Sequence, residues 1–323
     1  MDNDGSNIPT TLVEAIRHFK DEETCIQYLV PRRWPDGITC YHCGSKEKHC
    51  YIKTRRIWSC KSCKKQFSLK KGTIFEESNI SLQKWLISIW LIVNAKNGIS
   101  SWELHRAIGI SQKTAWFVLH RIRYALEIGG FDRMLSGIVE GDETYIGGIA
   151  ENMHKDERKR KIPGRGTVGK QIVQGFVERN GEVRASHIKD HLPSTFHAHI
   201  RANIEPGSTI YTDQHKSYAG LGPDYFHDFV NHKMEYVRGE VHTNTIENFW
   251  CLLKRTQKGT YVSVEPFHLN RYVSEQVFRY NHRKGSDQDR FLAASIRMKD
   301  GYLSYKGLVQ HLKKPRRGGP KKS

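Results

Sequence analysis

Apolar residues recur at helical spacing in two parts of the chain. The first part, residues 10–29, predicts a short leading helix that packs on the neighbouring part of the chain. The second part, residues 81–126, predicts three helical segments divided near Gly98 and Gly109, because glycine weakens or ends a helix.

Between and after these helices the pattern changes to that of β-strands. Over residues 31–75 short aromatic and β-branched runs alternate with Gly, Cys and Lys, which predicts a small β-rich unit. Over residues 137–283 strand-like runs alternate with helical stretches, the pattern of an α/β domain. Two alternating runs flank Asn180-Gly181, and this dipeptide predicts a β-hairpin.

The charge balance indicates a polyanionic partner. The 323 residues include 52 Lys or Arg and 34 Asp or Glu, for a net charge of +18, which attracts nucleic acid or an anionic membrane surface. The longest apolar stretch runs from Trp85 to Val93, well short of the roughly 20 residues that span a bilayer. We therefore favour nucleic acid over a membrane.

The seven cysteines include two closely spaced pairs. The chain opens with acids and no apolar leader, so we expect reduced or metal-bound cysteines and no disulfides. Cys40-x2-Cys43 and Cys60-x2-Cys63, with sixteen residues between the two pairs, have the spacing of a zinc ribbon with one structural Zn²⁺. Three residues between the pairs are possible substitute ligands that we do not favour: His42, His49 and Cys50.

Basic residues surround this cysteine unit. Residues 31–75 hold 12 Lys or Arg and two acids, and aromatic residues are interleaved with the basic residues. Such a surface suits phosphate contacts and stacking, and a merely solvated basic face is the alternative. The predicted DNA contacts are Lys53, Arg55, Arg56, Lys64 and Lys65.

A helix-turn-helix pattern comes after the ribbon. Residues 101–108 and 112–126 read as two helices joined by a tight turn that contains Gly109. Early residues of a recognition helix contact base edges, so Gln112 and Lys113 are the predicted readers of sequence. Arg121 is assigned to the same DNA-facing side. A purely structural helical hairpin remains the alternative.

Three acids stand in distinct settings further along the chain. Asp142 ends one apolar strand-like run, Asp213 follows a second, and Glu247 lies in a helical stretch. Two strand-borne aspartates and one helix-borne glutamate can converge at a sheet edge. Carboxylate oxygens are the hard ligands that Mg²⁺ prefers, and paired divalent ions promote in-line phosphoryl displacement.

The sequence here resembles the zinc-ribbon insertion-sequence transposases of the DDE superfamily, which are related to the Merlin group of DNA transposons. The resemblance covers roughly residues 28–283. It lies in the ribbon and in three blocks: VEGDETYIGG at 139–148, YTDQHKSY at 211–218 and HTNTIENFWCLLKR at 242–255. One departure is Gly141, where many relatives carry a bulkier apolar residue, and it concerns strand packing.

The resemblance implies an α/β fold with an RNase H-like catalytic domain. It implies that three residues hold two Mg²⁺ or Mn²⁺ ions per active site: Asp142, Asp213 and Glu247. It also implies that Lys254 assists at the transposon end, and helix positions seven apart project within about 20° of each other. Asn244 is an alternative third ligand, although Glu247 offers more charge. Arg255 is expected to contact DNA.

The predicted function is DNA transposition. We expect the chain to bind terminal inverted repeats, cleave the transposon ends and join the 3′ hydroxyl to target DNA. Its expected partners are double-stranded DNA and further copies of itself, in a prokaryotic cytoplasm or a eukaryotic nucleus. The rivals are a transposase-derived regulator, disfavoured by the intact triad, and an RNase H-like nuclease, disfavoured by the DNA-reading parts.

Five parts are predicted along the chain. They are an N-terminal helix (1–30), a zinc ribbon (31–75), a helix-turn-helix region (76–130), the catalytic domain (131–290) and a basic tail (291–323). Within the catalytic domain, the basic run at 155–161 is too polar for a core and predicts a mobile loop that faces DNA.

Overall fold

Two helices, α1 (Leu12–His18) and α2 (Glu22–Arg33), occupy the region of the single predicted leading helix. The computed structural model describes residues 8–309 except 129–130, 132, 148–168, 214–215, 219, 223, 231–240 and 300. The helix is divided because Asp21 accepts a hydrogen bond from the Thr24 backbone N–H at 2.9 Å and begins a second helix.

The β-rich unit is a three-stranded antiparallel sheet. Its strands β1 (His49–Ile52), β2 (Ile57–Cys60) and β3 (Gln66–Ser68) are ordered along the chain. Trp58 and Phe67 pair across β2 and β3, and both are buried. The prediction of a small β unit between helical segments is confirmed.

Three helices come next, divided near the two glycines as predicted. They are α3 (Leu82–Asn94), α4 (Ser101–Ile108) and α5 (Gln112–Ile128). Ser100 begins α4 with a capping box to Glu103, and Gly109 ends it in the left-handed conformation at φ 62°. The predicted hinge at 129–130 lies outside the described residues.

A mixed five-stranded sheet forms the centre of the second half of the chain. Its strands are β4 (Ile138–Ile146), β5 (Gln171–Glu178), β6 (Val183–Ile188), β7 (Thr209–Asp213) and β8 (Phe226–Val230). Their order is β6-β5-β4-β7-β8, antiparallel from β6 to β4 and parallel from β4 to β8. The predicted hairpin joins β5 to β6, with Asn180 at φ 62°.

Helices cover both faces of this sheet. They are α6 (Pro193–Asn203), α7 (Asn244–Thr256) and α8 (Leu269–Asn281). On one face Phe196 and Ile200 of α6 are buried against sheet residues such as Phe176. On the other face α7 and α8 bury their apolar sides against Val173 and Val177. The α/β prediction is therefore confirmed for this part of the chain.

The chain after residue 290 is not a tail up to Val309. Helices α9 (Asp287–Arg297) and α10 (Tyr305–Val309) continue the fold, and Phe291 of α9 is fully buried among the N-terminal helices. The predicted tail boundary at 291 is wrong, because apolar residues of α9 complete a core that begins near Ala15. Residues 310–323, which hold most of the basic run, lie outside the described residues.

Helices α5 and α8 join the N-terminal helices to the sheet. Arg123 of α5 donates to the Glu275 carboxylate of α8 at 2.6 Å, and both side chains are buried. Arg279 and Tyr261 bond to the same carboxylate. Within the part of the chain that the structure describes, we find no helix with the length and apolar character needed to cross a membrane.

Candidate active site

Parallel pairing of β4 with β7 brings two predicted acids to adjacent strands. Glu140 lies opposite Tyr211 at the end of the paired segment. The same register, continued by two residues, sets Asp142 opposite Asp213. Ladder pairing between β4 and β7 stops before these positions, so the two carboxylates lie where the strands separate.

Glu143 joins these two residues in one acidic cluster. Carboxylate oxygens of Asp142, Glu143 and Asp213 all lie within 4.8 Å of one another. Glu143 also accepts a hydrogen bond from the Tyr218 hydroxyl at 3.0 Å. Glu143 was not predicted from the sequence, because consecutive strand residues ordinarily face opposite sides of a sheet. Its position beside Asp142 was the available signal.

Burial and mutual repulsion raise the pKa of two members of this cluster, Asp142 and Glu143. Burial, with the neighbouring charges of Glu143 and Asp213, raises the pKa of Asp142 to about 8. Burial and the Asp213 charge raise the pKa of Glu143 to about 7. Three acids this close repel one another when ionised, and a divalent cation relieves that repulsion. The donor set therefore fits a hard divalent metal such as Mg²⁺ or Mn²⁺.

Helix α7 begins directly against strand β4. The fully buried Glu140 carboxylate accepts from the backbone N–H groups of Thr245 at 2.8 Å and Ile246 at 3.2 Å. It also accepts from the Thr245 hydroxyl at 2.9 Å. These bonds satisfy N–H groups that a helix N-terminus leaves without partners, and a negative charge there is favourable.

A second contact lies further along the same helix. The Trp250 indole N–H donates to Oδ2 of Asp142 at 2.9 Å. Gly175, the β5 partner of Asp142, makes room for this indole, since a Cβ at Gly175 would lie 2.6 Å from the Trp250 ring. The sequence analysis assigned no role to Glu140, Trp250 or Gly175.

The other predicted catalytic residues also lie on α7. Glu247 is exposed, and it is not one of the three acids whose carboxylate oxygens lie within 4.8 Å of one another. Its carboxylate accepts a hydrogen bond from the Thr243 hydroxyl at 3.0 Å. It lies three residues before Trp250, so it projects within one helical turn of the Asp142 contact. Asn244 begins the helix, and Lys254 and Arg255 are exposed near its end.

The four predicted zinc ligands converge in the ribbon. Their sulfur atoms lie within 4.8 Å of one another, with Cys40 and Cys63 3.7 Å apart and Cys43 and Cys60 3.8 Å apart. Sulfurs held tetrahedrally at about 2.3 Å from zinc are about 3.8 Å apart, so the donor set fits Zn²⁺. The alternatives lie outside this group: His42, His49 and Cys50.

Two matching turns present these sulfurs. In each turn the residue after the second cysteine, Gly44 or Lys64, has a positive φ and donates to the carbonyl of the first cysteine. Hydrogen bonds to the Cys60 sulfur, with the largest contribution from the Cys63 backbone N–H, lower the pKa of that thiol to about 6, whereas the pKa of the neighbouring Cys43 thiol is raised to about 12. A lower thiol pKa favours the thiolate that metal binding requires.

Most of the predicted DNA contacts are exposed. Exposed positions are Lys53, Arg55, Arg56, Lys64, Lys65, Lys113 and Arg255. Gln112 is half-buried and donates from its amide to the Ser101 hydroxyl at 2.8 Å. These residues are distributed over three elements, namely the ribbon, α5 and α7.

Arg121 is a correction to the predicted DNA surface. Its side chain is buried, and its guanidinium donates to the carbonyl oxygens of Ile74, Glu76 and Leu303 at 2.6 to 2.8 Å. The assignment was wrong because the buried face of α5 is wider than its apolar stripe. Arg121 instead ties α5 to the segment after the ribbon and to residues near α10.

Comparison with known proteins matches both halves of the chain. A family model described as ISXO2-like transposase domain matches residues 134–281, and one described as transposase zinc-ribbon domain matches residues 20–66. The first match contains the acidic cluster and α7. The second contains all four clustered cysteines.

Two curated relatives agree with these matches. The uncharacterized protein in transposable element ISH50 from Halobacterium salinarum is 28% identical over 252 residues, covering 74% of this chain and 84% of the relative. An uncharacterized transposase-like protein from Haemophilus influenzae is 34% identical over 91 residues, covering 28% of this chain and 72% of the relative.

Proposed function

Because the chain belongs to the ISXO2-like transposase family, we propose that it cleaves the ends of a DNA element and joins them to target DNA. The observation that carries this proposal is the meeting of Asp142 and Asp213 where β4 and β7 separate, beside the helix that bears Glu247. An acidic cluster over parallel strands next to an exposed basic helix end suits phosphoryl transfer on DNA.

The fold of the catalytic domain is proposed to be RNase H-like. The supporting feature is the strand order, in which a three-stranded antiparallel meander continues through its first strand into two parallel strands. In that arrangement β4, at the centre of the sheet, carries the first acid, and the neighbouring β7 carries the second.

Asp142, Asp213 and Glu247 are proposed to hold two Mg²⁺ or Mn²⁺ ions. When bound, such ions activate the attacking oxygen and stabilise the leaving oxygen of an in-line displacement. The Trp250 indole N–H donates to Oδ2 of Asp142 and thereby orients this proposed ligand. Glu143 is a further candidate ligand because its carboxylate lies within the cluster, and Asn244 remains the alternative to Glu247.

Two successive displacements make up the proposed reaction. In the first, a water oxygen bonds to phosphorus while the bond from that phosphorus to the 3′ oxygen of the transposon end breaks; the water gives up one proton and the leaving oxygen gains one, so the products are a 5′ phosphate and a 3′ hydroxyl. In the second, the oxygen of that 3′ hydroxyl bonds to a target phosphorus while the bond from this phosphorus to a target 3′ oxygen breaks; the attacking hydroxyl gives up its proton and the leaving target oxygen gains one. Lys254 and Arg255, exposed near the end of α7, are proposed to hold DNA phosphates during both steps.

The N-terminal half is proposed to bind the terminal repeat. The zinc ribbon presents exposed Lys and Arg side chains. The α4–α5 hairpin, with Lys113 exposed at the start of its second helix, is proposed to act as a helix-turn-helix. Contacts between these Lys and Arg side chains and DNA phosphates supply salt-dependent affinity. Several copies of the chain are proposed to assemble on the paired ends.

Joining of a pre-cleaved terminal-repeat oligonucleotide to plasmid DNA, with Mg²⁺ or Mn²⁺, tests this proposal. The oligonucleotide is taken from the DNA that flanks the gene. We expect joining by the wild type and none by Asp142→Asn, Asp213→Asn or Glu247→Gln, each of which removes one negative charge at nearly constant size. DNA binding by the three variants should be unchanged.

Other outcomes distinguish the rivals. Cleavage without joining would identify a nuclease, and specific binding with neither reaction would identify a regulator. If Asn244→Ala abolishes joining while Glu247→Gln remains active, Asn244 is the third ligand. Wild-type joining by any of the three carboxylate variants would contradict its assigned role.

A further inference from the structure

We propose that Glu140 and Trp250 are positioning residues that clamp α7 onto β4 and thereby fix the place of Glu247 beside Asp142 and Asp213. This inference rests on the proposed function, because it assigns roles around the same acidic cluster. Neither residue is a proposed metal ligand, and each acts through another residue.

The first half of the clamp is the Glu140 carboxylate. It accepts three hydrogen bonds from the first turn of α7, at 2.8, 2.9 and 3.2 Å. Thr243, the residue that precedes the helix, makes no side-chain cap bond to it, so the cap comes from the sheet. Arg179 at 3.2 Å and His242 at 3.3 Å also face the carboxylate, and the Arg179 cation offsets its buried charge.

The second half is the bond from Trp250 to Asp142. It is directed at a proposed metal ligand and orients the Asp142 carboxylate. The indole lies over Gly175, and a Cβ there would come within 2.6 Å of the ring. Glycine at position 175, which has no side chain to displace the indole, is therefore part of the clamp.

The two contacts are separated by a similar distance along strand β4 and along helix α7. Glu140 and Asp142 are two residues apart on a strand, about 6.6 Å. Thr245 and Trp250 are five residues apart on a helix, about 7.5 Å along its axis. The two sets of hydrogen bonds therefore select one sliding position of α7 along β4, and Glu247 lies between them.

Apolar packing alone does not supply this precision. Ile246, Phe249 and Leu253 bury the inner side of α7, but burial is non-directional and tolerates small shifts. A buried carboxylate is also an expensive way to hold a helix, since a packed apolar residue is often as stabilising. Its use here, two residues from Asp142, is explained by a need for a fixed register.

The test compares Trp250→Phe, Gly175→Ala and the double variant. Trp250→Phe keeps an aromatic ring and removes the N–H, whereas Gly175→Ala pushes the intact indole away from Asp142. We expect each single variant to remain folded, to bind Mn²⁺ about 10-fold or more weakly by paramagnetic resonance titration, and to join DNA more slowly. The smaller phenyl ring should tolerate an added methyl group at position 175, so the double change should add little to Trp250→Phe.

Glu140→Gln, Glu140→Asp and a control, Glu178→Gln, examine the other half. Glu178 lies on β5 and is mostly buried in an ion pair with Arg133, outside the clamp. We expect Glu140→Gln to speed amide hydrogen exchange of residues 244–250 without metal and to weaken Mn²⁺ binding. Glu140→Asp should restore part of the protection from hydrogen exchange and part of the Mn²⁺ affinity. The control should change neither quantity.

Unchanged hydrogen exchange of α7 in both Glu140→Gln and Trp250→Phe would overturn the clamp. So would losses of Mn²⁺ affinity that merely follow the melting temperature across all variants, including the control. If the wild type joins no DNA, the proposed function fails alone, because hydrogen exchange still decides whether Glu140 and Trp250 hold α7.

Discussion

The carboxyl groups of Asp142 and Glu143 hold protons at a pH where ordinary carboxyls are ionised. Their pKa values are raised to about 8 and about 7, from 3.8 and 4.5. The native state thus binds protons that the unfolded chain has lost, so these two groups make the metal-free protein less stable as the pH rises from about 4 to about 8.

We predict that Mg²⁺ stabilises the protein more at about pH 8.5 than at about pH 6, because ligands must lose their protons before they bind a cation. The measurement is the Mg²⁺-induced rise in melting temperature at the two pH values. The comparison with and without metal cancels buried histidines such as His199, whose pKa burial lowers to about 4. Asp142→Asn should lose most of the difference, and equal Mg²⁺ effects at both pH values would contradict the prediction.

At this scale the sequence pattern predicted Asp142 and Asp213, which the structure brings together in the acidic cluster, and did not indicate the residues that act through tertiary contacts. Acids directly after apolar strands are visible in a linear pattern. Glu143 was missed because its approach to Asp213 depends on where two strands separate. Arg121 was misassigned because no linear pattern indicates that backbone carbonyls from two distant segments will receive its guanidinium.

At the scale of elements, the zinc ribbon has too small a core to account for its own fold. Its three strands have four, four and three residues, and the buried aromatic residues on these strands are Trp58 and Phe67. Units this small usually depend on a metal, and structural zinc contributes roughly 10 kcal/mol or more in small zinc-binding units.

We predict one zinc ion per chain in protein purified without chelator. Cys60→Ser, or removal of the metal, should increase hydrogen exchange over residues 40–68 by far more than over the strands β4 to β7. Elemental analysis and hydrogen exchange check the two parts. Cys251→Ser is the control, since this exposed thiol lies outside the ribbon. An absence of zinc, or equal exchange in both regions, would show that the ribbon does not depend on the metal.

Most elements could be predicted from the sequence because their signals are local. Gly109 and the Asn180-Gly181 dipeptide punctuate the chain where the pattern predicted. The division between α1 and α2 was missed, although Asp21 is a strong cap, because the apolar spacing continues across it. The order of the sheet depends on pairing between distant strands, which periodicity alone does not reveal.

At the scale of the whole molecule, the N-terminal helices are completed by the end of the chain. Phe291 of α9 contacts the rings of Phe19, Tyr28 and Trp90, with centroids 5.8, 5.6 and 5.0 Å apart. The Tyr28 hydroxyl donates to the Ser295 hydroxyl at 3.2 Å. The sequence analysis placed a tail here because partners more than 190 positions away leave no local pattern.

We predict that Phe291→Ala lowers the free energy of unfolding by about 3 to 5 kcal/mol, since it leaves a cavity among three aromatic rings. Ile296→Ala on the same helix is the matched control, because Ile296 is 45% exposed and a change there should cost about 0.5 kcal/mol or less. Urea unfolding of the full chain, followed by circular dichroism, measures both.

Because Phe291 packs against α1, α2 and α3, the loss should appear as faster hydrogen exchange in those helices, far from residue 291 along the chain. A fragment that ends after α5 lacks Phe291 altogether. It should therefore also expose Trp90 to solvent, and it should bind DNA less well than the full chain. If Phe291→Ala costs no more than Ile296→Ala, the N-terminal helices are stable without α9, and the N-terminal half is an independent folding unit.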